Sequence, residues 1–193
     1  MHNRLNELRA QVCVIDREIV AALAQRLPCG ASTAADACAS TTDDRLQARL
    51  RAEYAQQAAT IFVIPAPAST AAIREAADRA VLAAIRRRLD IALQIAAAKA
   101  AGAMPRVRDL AAAQDPAALE AAITQPDVEE QVIARAADTA RALLAAAPLP
   151  AAFPETVATL YRDWIIPLAR RVQVEELLAQ AQGNTHSICR KAG

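Results

Sequence analysis

The chain has 193 residues, which is the length of a single domain with at most a short extension. Hydrophobic residues make up 54% of it but aromatic residues only 3%, and four glycines leave little room for sheets, hairpins or phosphate-binding loops. The formal net charge is +1 with both signs interspersed, so neither nucleic acid nor an anionic membrane is indicated as a partner. The composition predicts an all-α protein, a bundle of long helices with a core of alanine and aliphatic side chains.

The first predicted helix covers residues 3–27. Its large apolar side chains recur at steps of three and four, the spacing of a coiled-coil seam: Leu5, Leu8, Val12, Ile15, Ile19 and Leu23. Pro28 and Gly30 end this helix. Arg9 lies at the edge of the seam and Arg26 along it, and surface charge or a salt bridge at the helix end would account for both.

The cysteines indicate neither a disulfide scaffold nor a zinc site, because they are few and scattered. Cys29 and Cys38 flank a stretch of small polar residues at 28–42, which predicts a loop, and they could form a disulfide under oxidising conditions. The polar N-terminus does not resemble a secretory signal, and no apolar run is long enough to span a membrane. We expect a cytoplasmic protein without a metal or cofactor, periplasmic or secreted only if a leader was removed.

A second helix is predicted at about 43–62, and the apolar run after it stops at Pro65 and Pro67. We interpret these prolines as the boundary between two parts of the chain. The predicted organisation is an N-terminal helical appendage, a main helical domain and a polar tail, at residues 1–67, 68–182 and 183–193.

The longest predicted helix runs from Ala71 to Gly102. At 100° per residue one of its faces carries several large apolar side chains together with two cations: Ile73, Ala77, Ala84, Arg88, Ile91, Ile95 and Lys99. The cations lie three turns apart, roughly 16 Å. Since buried cations are costly without anions, this face predicts structural salt bridges, long side chains that reach water, or a pocket for a small dianion.

A loop is predicted after this helix, from residue 103 to 109. Three more helices follow, at 116–124, 126–147 and 154–182. Glu129 lies on the buried face of the second of these, in the first turn, where the helix dipole and one salt bridge could explain it. Gln173 lies within an apolar stripe of the last helix, where its amide needs a partner.

These residues together resemble the all-α chorismate mutases over about residues 71–178. The family's helix arginine and lysine match Arg88 and Lys99 at the same separation of eleven residues. Its glutamate best matches Glu129, because the residues after it then fall on the family's leucine positions. Its final glutamine matches Gln173, which follows a valine as in the family.

The loop after the long helix fits the family less well. The loop proline matches Pro105 and the loop aspartate matches Asp109, one residue late. The family usually has Arg-Glu soon afterwards, and this pair is missing. Arg106 or Arg108 could replace the loop arginine, so we predict Asp109 and Arg108 as substrate-binding residues.

The start of the chain also resembles the opening of the family's first helix. Arg9 and Arg26 have the spacing of its two helix arginines, whereas Arg74 lies about one turn too close to Arg88. We therefore hypothesise that the N-terminal helix packs on the bundle and supplies Arg9 or Arg26 to a pocket. It would do so within one chain or across a homodimer, and a homodimer is the predicted assembly.

The resemblance implies an isomerase that rearranges chorismate to prephenate in aromatic amino acid biosynthesis. This pericyclic reaction requires a folded substrate conformer, held by cations on its two carboxylates, and a donor to the ether oxygen as that atom gains charge. Arg88 with Arg9 or Arg26 would hold the carboxylates. Two donors to the ether oxygen and an acceptor from the ring hydroxyl complete the predicted site: Lys99, Gln173 and Glu129, respectively.

Two alternatives remain at the level of sequence. The segment Ile73-Arg74-Glu75-Ala76 resembles the start of a related helical fold that eliminates pyruvate from isochorismate. A non-catalytic helical interaction module, in which the loop arginine has been lost, would also fit the pattern.

Overall fold

The computed structural model describes residues 2–30, 44–62 and 71–183, and the secondary structure of these residues is entirely helical. The α-helices of this part of the chain are α1 (His2–Arg26), α2 (Arg45–Ile61), α3 (Ala71–Ala98), α4 (Pro105–Ala112), α5 (Pro116–Ile123), α6 (Pro126–Ala146), α7 (Phe153–Leu160) and α8 (Ile166–Ala181). The predicted all-α class is confirmed. Cys38, the run around Pro65 and Pro67, and most of the predicted tail lie outside the described residues, so the predicted Cys29–Cys38 disulfide does too.

One buried core joins helices from both sides of the predicted boundary at residue 67. Its members include Ile19 of α1, Leu50 of α2, Ile85 of α3 and Leu168 of α8, each fully buried. The N-terminal helices therefore contribute to the main core. The prolines predicted a boundary in the chain, but the core does not divide there.

A smaller cluster of buried side chains closes one end of the bundle. It brings α4 and α5 against the ends of α3 and α8, through Ala96, Val107, Ala111, Leu119, Ile123, Val174 and Leu177. Lys99 begins a π-helical turn, Lys99–Ala103, which connects α3 to this end. A second π turn, Tyr161–Ile165, joins α7 to α8, so the predicted last helix is continuous but locally widened.

The prediction of a loop at 103–109 is wrong, because most of this segment belongs to α4. Pro105 occupies the first turn, where no backbone N–H is needed, and the apolar side chains of Val107 and Ala111 lie one turn apart and are buried. The prediction that Ile73 is buried is also wrong, since this side chain is 57% exposed at the start of α3.

A buried ion pair fixes the C-terminal end of α1. The Arg26 side chain is completely buried, and its Nε lies 2.5 Å from Oδ1 of Asp78 on α3. Its Nη1 donates to the carbonyl oxygen of Gly30 at 2.7 Å, and its guanidinium lies 4.3 Å from the ring centre of Phe62. The hydroxyl of Tyr54 donates to the same Asp78 oxygen, and burial raises the pKa of this tyrosine, so it stays a neutral donor. Arg26 thus ties the first three helices together.

No helix in the described parts of the chain combines the length and the apolarity needed to cross a membrane.

Candidate active site

A cavity of about 380 Å³ lies between α1, α3, α6 and α8, with the end of α5 beside it. This volume is within the range of small-molecule sites. Five residues predicted for the site line it together: Arg9, Arg88, Lys99, Glu129 and Gln173. Four different helices or helix ends supply them, so the cavity depends on the packing of the whole bundle.

Arg88 forms the most rigid part of the cavity wall. It is 6% exposed, and its Nε donates to Oδ1 of Asp16 on α1 at 2.8 Å. The Tyr161 hydroxyl donates to the same oxygen at 3.1 Å, while burial holds the pKa of this tyrosine well above its usual value. Since Asp16 binds Nε, the two terminal nitrogens of Arg88 remain available to a ligand.

Lys99 is a buried cation that lacks a carboxylate partner in the described part of the chain. It is 7% exposed, and its ammonium donates to the backbone carbonyl of Ile123 at 3.2 Å. Burial, and after it the nearby charge of Arg9, lowers the pKa of Lys99, Glu129 opposes both effects, and the resulting pKa is about 8. An anionic ligand would supply the charge that this site lacks.

Arg9 reaches the cavity from the exposed side of α1. Its Nη2 donates to the amide oxygen of Gln125 at 3.1 Å, at the residue that precedes α6. Gln125 also lines the cavity, and sequence reasoning missed it. The sequence could have indicated it, because Gln125 directly precedes α6 and lies four residues before Glu129. Residues four apart lie on the same face of a helix.

Glu129 lies in the first turn of α6 and pairs with an arginine that the sequence did not indicate. Arg170 of α8 places Nη2 3.2 Å from Oε2 of Glu129 and Nη1 3.4 Å from Oε1 of Glu120 on α5. Gln173 follows Arg170 by three residues, so the two side chains lie on the same face of α8. Arg135 of α6 lines the cavity as well and is exposed.

Three predicted substrate-binding residues do not line the cavity. Arg26 contacts Asp78, Gly30 and Phe62 at the far end of α1. Arg108 and Asp109 are exposed on α4, because the buried positions of this helix are Val107 and Ala111. Arg106 is exposed there too. Of Arg9 and Arg26, Arg9 is the one that lines this cavity.

Positive charge dominates the cavity. Its lining includes one carboxylate, that of Glu129, against five cationic side chains: Arg9, Arg88, Lys99, Arg135 and Arg170. Asp16 partly neutralises Arg88, and Glu120 and Glu129 partly neutralise Arg170. The remaining excess fits a small ligand with two negative charges, bound by arginines that can grip carboxylates bidentately.

Comparisons with known proteins agree with this geometry. The family model described as chorismate mutase type II matches residues 73–174, more than half of the chain. The crystal structure of Aro7p chorismate mutase from Candida albicans in complex with L-Trp superposes with a TM-score of 0.75 and 17% sequence identity, over 92% of each chain. No protein of curated function matches the sequence.

The chain belongs to the chorismate mutase type II family. It is accordingly an isomerase that acts on chorismate. The structural likeness covers nearly the whole chain, whereas the family match begins at residue 73. The N-terminal helices are thus part of the shared fold, which agrees with the common core.

Proposed function

We propose that this cavity binds chorismate and catalyses its rearrangement to prephenate with residues of one chain. The observation that carries the proposal is the convergence of Arg9, Arg88, Lys99, Glu129 and Gln173 on one cationic cavity. These side chains come from sequence positions up to 164 residues apart, and only the fold brings them together. We assign a role to each residue from the hydrogen bonds that its polar atoms already make.

Arg88 and Arg9 are the proposed carboxylate ligands. Asp16 fixes Arg88 through Nε, which leaves a pair of terminal N–H groups for bidentate binding. Arg9 is exposed and is held by the neutral amide of Gln125, so a substrate carboxylate can replace that contact without leaving a charge unpaired. Together the two arginines select a dianion and hold it in the folded conformer that reacts.

Lys99 and Gln173 are the proposed donors to the ether oxygen. During the rearrangement the C–O bond breaks while a C–C bond forms, and negative charge develops on this oxygen. A buried ammonium stabilises that charge strongly because the surroundings screen it little. Gln173 is half-buried, lines the same cavity from α8 and supplies a neutral N–H donor.

Glu129 is the proposed acceptor for the ring hydroxyl of the substrate. It lies in the first turn of α6, where the helix dipole attracts negative charge. An ionised carboxylate can only accept, which suits a hydroxyl group and repels a misplaced substrate carboxylate. It therefore orients the ring with respect to the two arginines.

The decisive experiment follows loss of chorismate by ultraviolet absorbance and identifies the product. We expect prephenate, abolished in Arg88→Gln and retained in Arg108→Gln, a matched control because Arg108 is exposed outside the cavity. Salicylate and pyruvate from isochorismate, without turnover of chorismate, would support the lyase alternative. Absence of turnover together with no binding of a transition-state analogue in calorimetry would support the non-catalytic alternative.

A homodimer is part of the same proposal, but the cavity does not need it. All of the residues assigned above belong to one chain. We expect the activity per chain to stay constant when the protein is diluted through any dimer–monomer transition detected by light scattering. A fall in activity that parallels dissociation would show that the partner chain contributes to the site.

A further inference from the structure

We propose that Arg170 is a positioning residue, which holds the Glu129 carboxylate on the α8 side of the cavity with one oxygen free for the substrate hydroxyl. This inference rests on the proposed function of the cavity. It adds a residue and an interaction that the sequence did not indicate. The contacts of Arg170, the surroundings of Lys99 and the register of α8 carry it.

Arg170 forms ion pairs with two carboxylates that belong to different helices. Nη2 lies 3.2 Å from Oε2 of Glu129, and Nη1 lies 3.4 Å from Oε1 of Glu120. The Glu129 and Arg170 side chains are only 26% and 25% exposed, whereas Glu120 is 48% exposed. The guanidinium is therefore anchored from outside by Glu120, and it presents a fixed donor to Glu129 inside the cavity.

This arrangement divides the two oxygens of Glu129 between two tasks. Oε2 is engaged by Arg170, and in the described part of the chain Oε1 has no hydrogen-bond donor. A planar guanidinium restrains a carboxylate more tightly than a flexible ammonium does. The ring hydroxyl of chorismate would then meet an acceptor whose direction is already set, which lowers the entropic cost of orienting the ring.

The same contact keeps Glu129 from neutralising Lys99. Both side chains line the cavity, yet they form no ion pair among the described residues, and the Lys99 ammonium instead donates to the Ile123 carbonyl. The charges that act on Lys99 are those of Arg9 from α1 and Glu129 from α6. The other charged side chains that line the cavity are Arg88 from α3, Arg135 from α6 and Arg170 from α8. Glu129 is the one carboxylate among the described residues that line the cavity, and its charge already acts on Lys99. Without Arg170, its carboxylate would be free to turn toward the Lys99 ammonium.

The register of α8 links this restraint to the reacting oxygen. Arg170 and Gln173 are three residues apart, so they lie on one face of the helix. One rigid helix thereby positions the donor to the ether oxygen and the acceptor of the ring hydroxyl. The distance between these two contacts is set by α8 itself and not by a loop.

The test compares Arg170→Gln, Arg170→Lys and the matched control Arg171→Gln in the full chain. We expect Arg170→Gln to lower kcat about tenfold, since loss of orientation in an active site has effects of this order, with a smaller change in KM. Arg170→Lys should recover part of the loss. Arg171→Gln should retain turnover, because Arg171 follows Arg170 in α8 but does not line the cavity and pairs with Glu53 outside it.

A double-mutant cycle with Glu129→Gln separates positioning from a general structural effect. If Arg170 acts through Glu129, adding Arg170→Gln to Glu129→Gln should cause no further loss of turnover. In Arg170→Gln alone, the alkaline limb of kcat/KM should move up by about one pH unit, because Glu129 becomes free to stabilise the Lys99 ammonium. That movement should vanish in the double variant.

Several outcomes would overturn the inference. They are additive losses in the double variant, an unmoved alkaline limb, or wild-type turnover in Arg170→Gln. If Arg170→Gln does not fold, unchanged turnover in folded Arg170→Lys with an unmoved alkaline limb would overturn it as well. Failure of the proposed function is distinct from all of these, since the wild-type protein itself would then not convert chorismate.

Discussion

Lys99 is held in surroundings that oppose its own charge, as expected of a side chain kept for function. We expect Lys99→Met to lower kcat by roughly a hundredfold to a thousandfold, because it removes a donor to charge that develops mainly in the transition state. Its effect on substrate binding should be much smaller. Single-turnover kinetics combined with calorimetry of substrate-analogue binding would separate the two.

The melting temperature provides the control for this substitution. Methionine fills a similar volume and removes a buried charge, so we expect the variant to unfold at the same temperature as the wild type or at a higher one. Lys99→Ala should lose turnover in the same way. Wild-type turnover in a folded Lys99→Ala protein would contradict the role assigned to the ammonium.

The lowered pKa of Lys99 predicts how the activity depends on pH. Burial favours the neutral amine, so the ammonium of the free enzyme is lost as pH rises through about 8. We expect kcat/KM to fall above that pH. The fall in kcat should occur at a higher pH than the fall in kcat/KM, because a bound dianion stabilises the ammonium. A kcat/KM profile that stays flat to pH 9.5 would show that the charge of Lys99 is not required.

Folding should respond to the same group with the opposite sign. The unfolded chain keeps the lysine protonated up to its ordinary pKa near 10.5, so between about pH 8 and 10.5 the unfolded state binds more protons. The contribution of Lys99 to the free energy of unfolding therefore rises with pH in this window, while activity declines.

Replacement of Gln173 by an acid should change how the activity depends on pH. Gln173→Glu should make activity fall as pH rises, because only the protonated carboxyl can donate to the ether oxygen. The wild-type amide does not titrate. Steady-state rates between pH 4 and 8 would test this, and an unchanged rate across that range would remove Gln173 from the reacting centre.

Helical spacing indicated several of the residues that line the cavity. Arg88 and Lys99 were visible because two cations on one apolar face need an explanation, and Glu129 and Gln173 because polar groups interrupt buried stripes. Asp16 and Arg170 were not visible, since each acts through a partner more than 40 residues away. Arg108 and Asp109 were misassigned because the loop that should have aimed them at the site is a helix.

At the scale of helices, α1 carries two arginines with different roles, Arg9 in activity and Arg26 in stability. We expect Arg9→Gln to lower kcat/KM by about tenfold to a hundredfold at an unchanged melting temperature, since it removes one charged hydrogen-bonding group from an exposed position. Arg26→Ala should instead destabilise the fold by about 3 kcal/mol, because it leaves Asp78 buried without its cation.

Chemical denaturation and steady-state kinetics of both variants would test this division. The residual activity of folded Arg26→Ala should be close to that of the wild type. Equal losses of activity and stability in the two variants would contradict it.

The helices themselves were largely predictable, but their interruptions were not. The spacing of apolar residues located α1, α3, α6 and the α7–α8 pair, with ends marked by proline and glycine. The π turns at Lys99 and Tyr161 arise from packing and carry no local signal. The short helix α4 was missed because its two buried positions, Val107 and Ala111, form too short a pattern to distinguish from a loop.

At the scale of the whole molecule, the cavity lies between the two parts of the chain that the sequence suggested, residues 1–67 and 68–182. α1 supplies one wall and the helices after residue 71 supply the others, so the cavity exists only when the N-terminal segment is docked. Hydrophobic periodicity predicted that α1 must bury its seam, but it could not identify the surface. Only the tertiary structure shows that this surface is α3.

The buried pair of Arg26 and Asp78 makes α1 a helix that is fastened at one end. At the other end, Leu8 is fully buried, but its neighbours Glu7 and Arg9 are exposed and Leu5 is half-buried. Local opening of a helix is easiest where few contacts are buried, so amide hydrogen exchange should be fast near Arg9 and slow near Arg26. Exchange near Arg9 as slow as exchange near Arg26 would show instead that Leu8 holds the first turns of α1 as firmly as the ion pair holds its last turn.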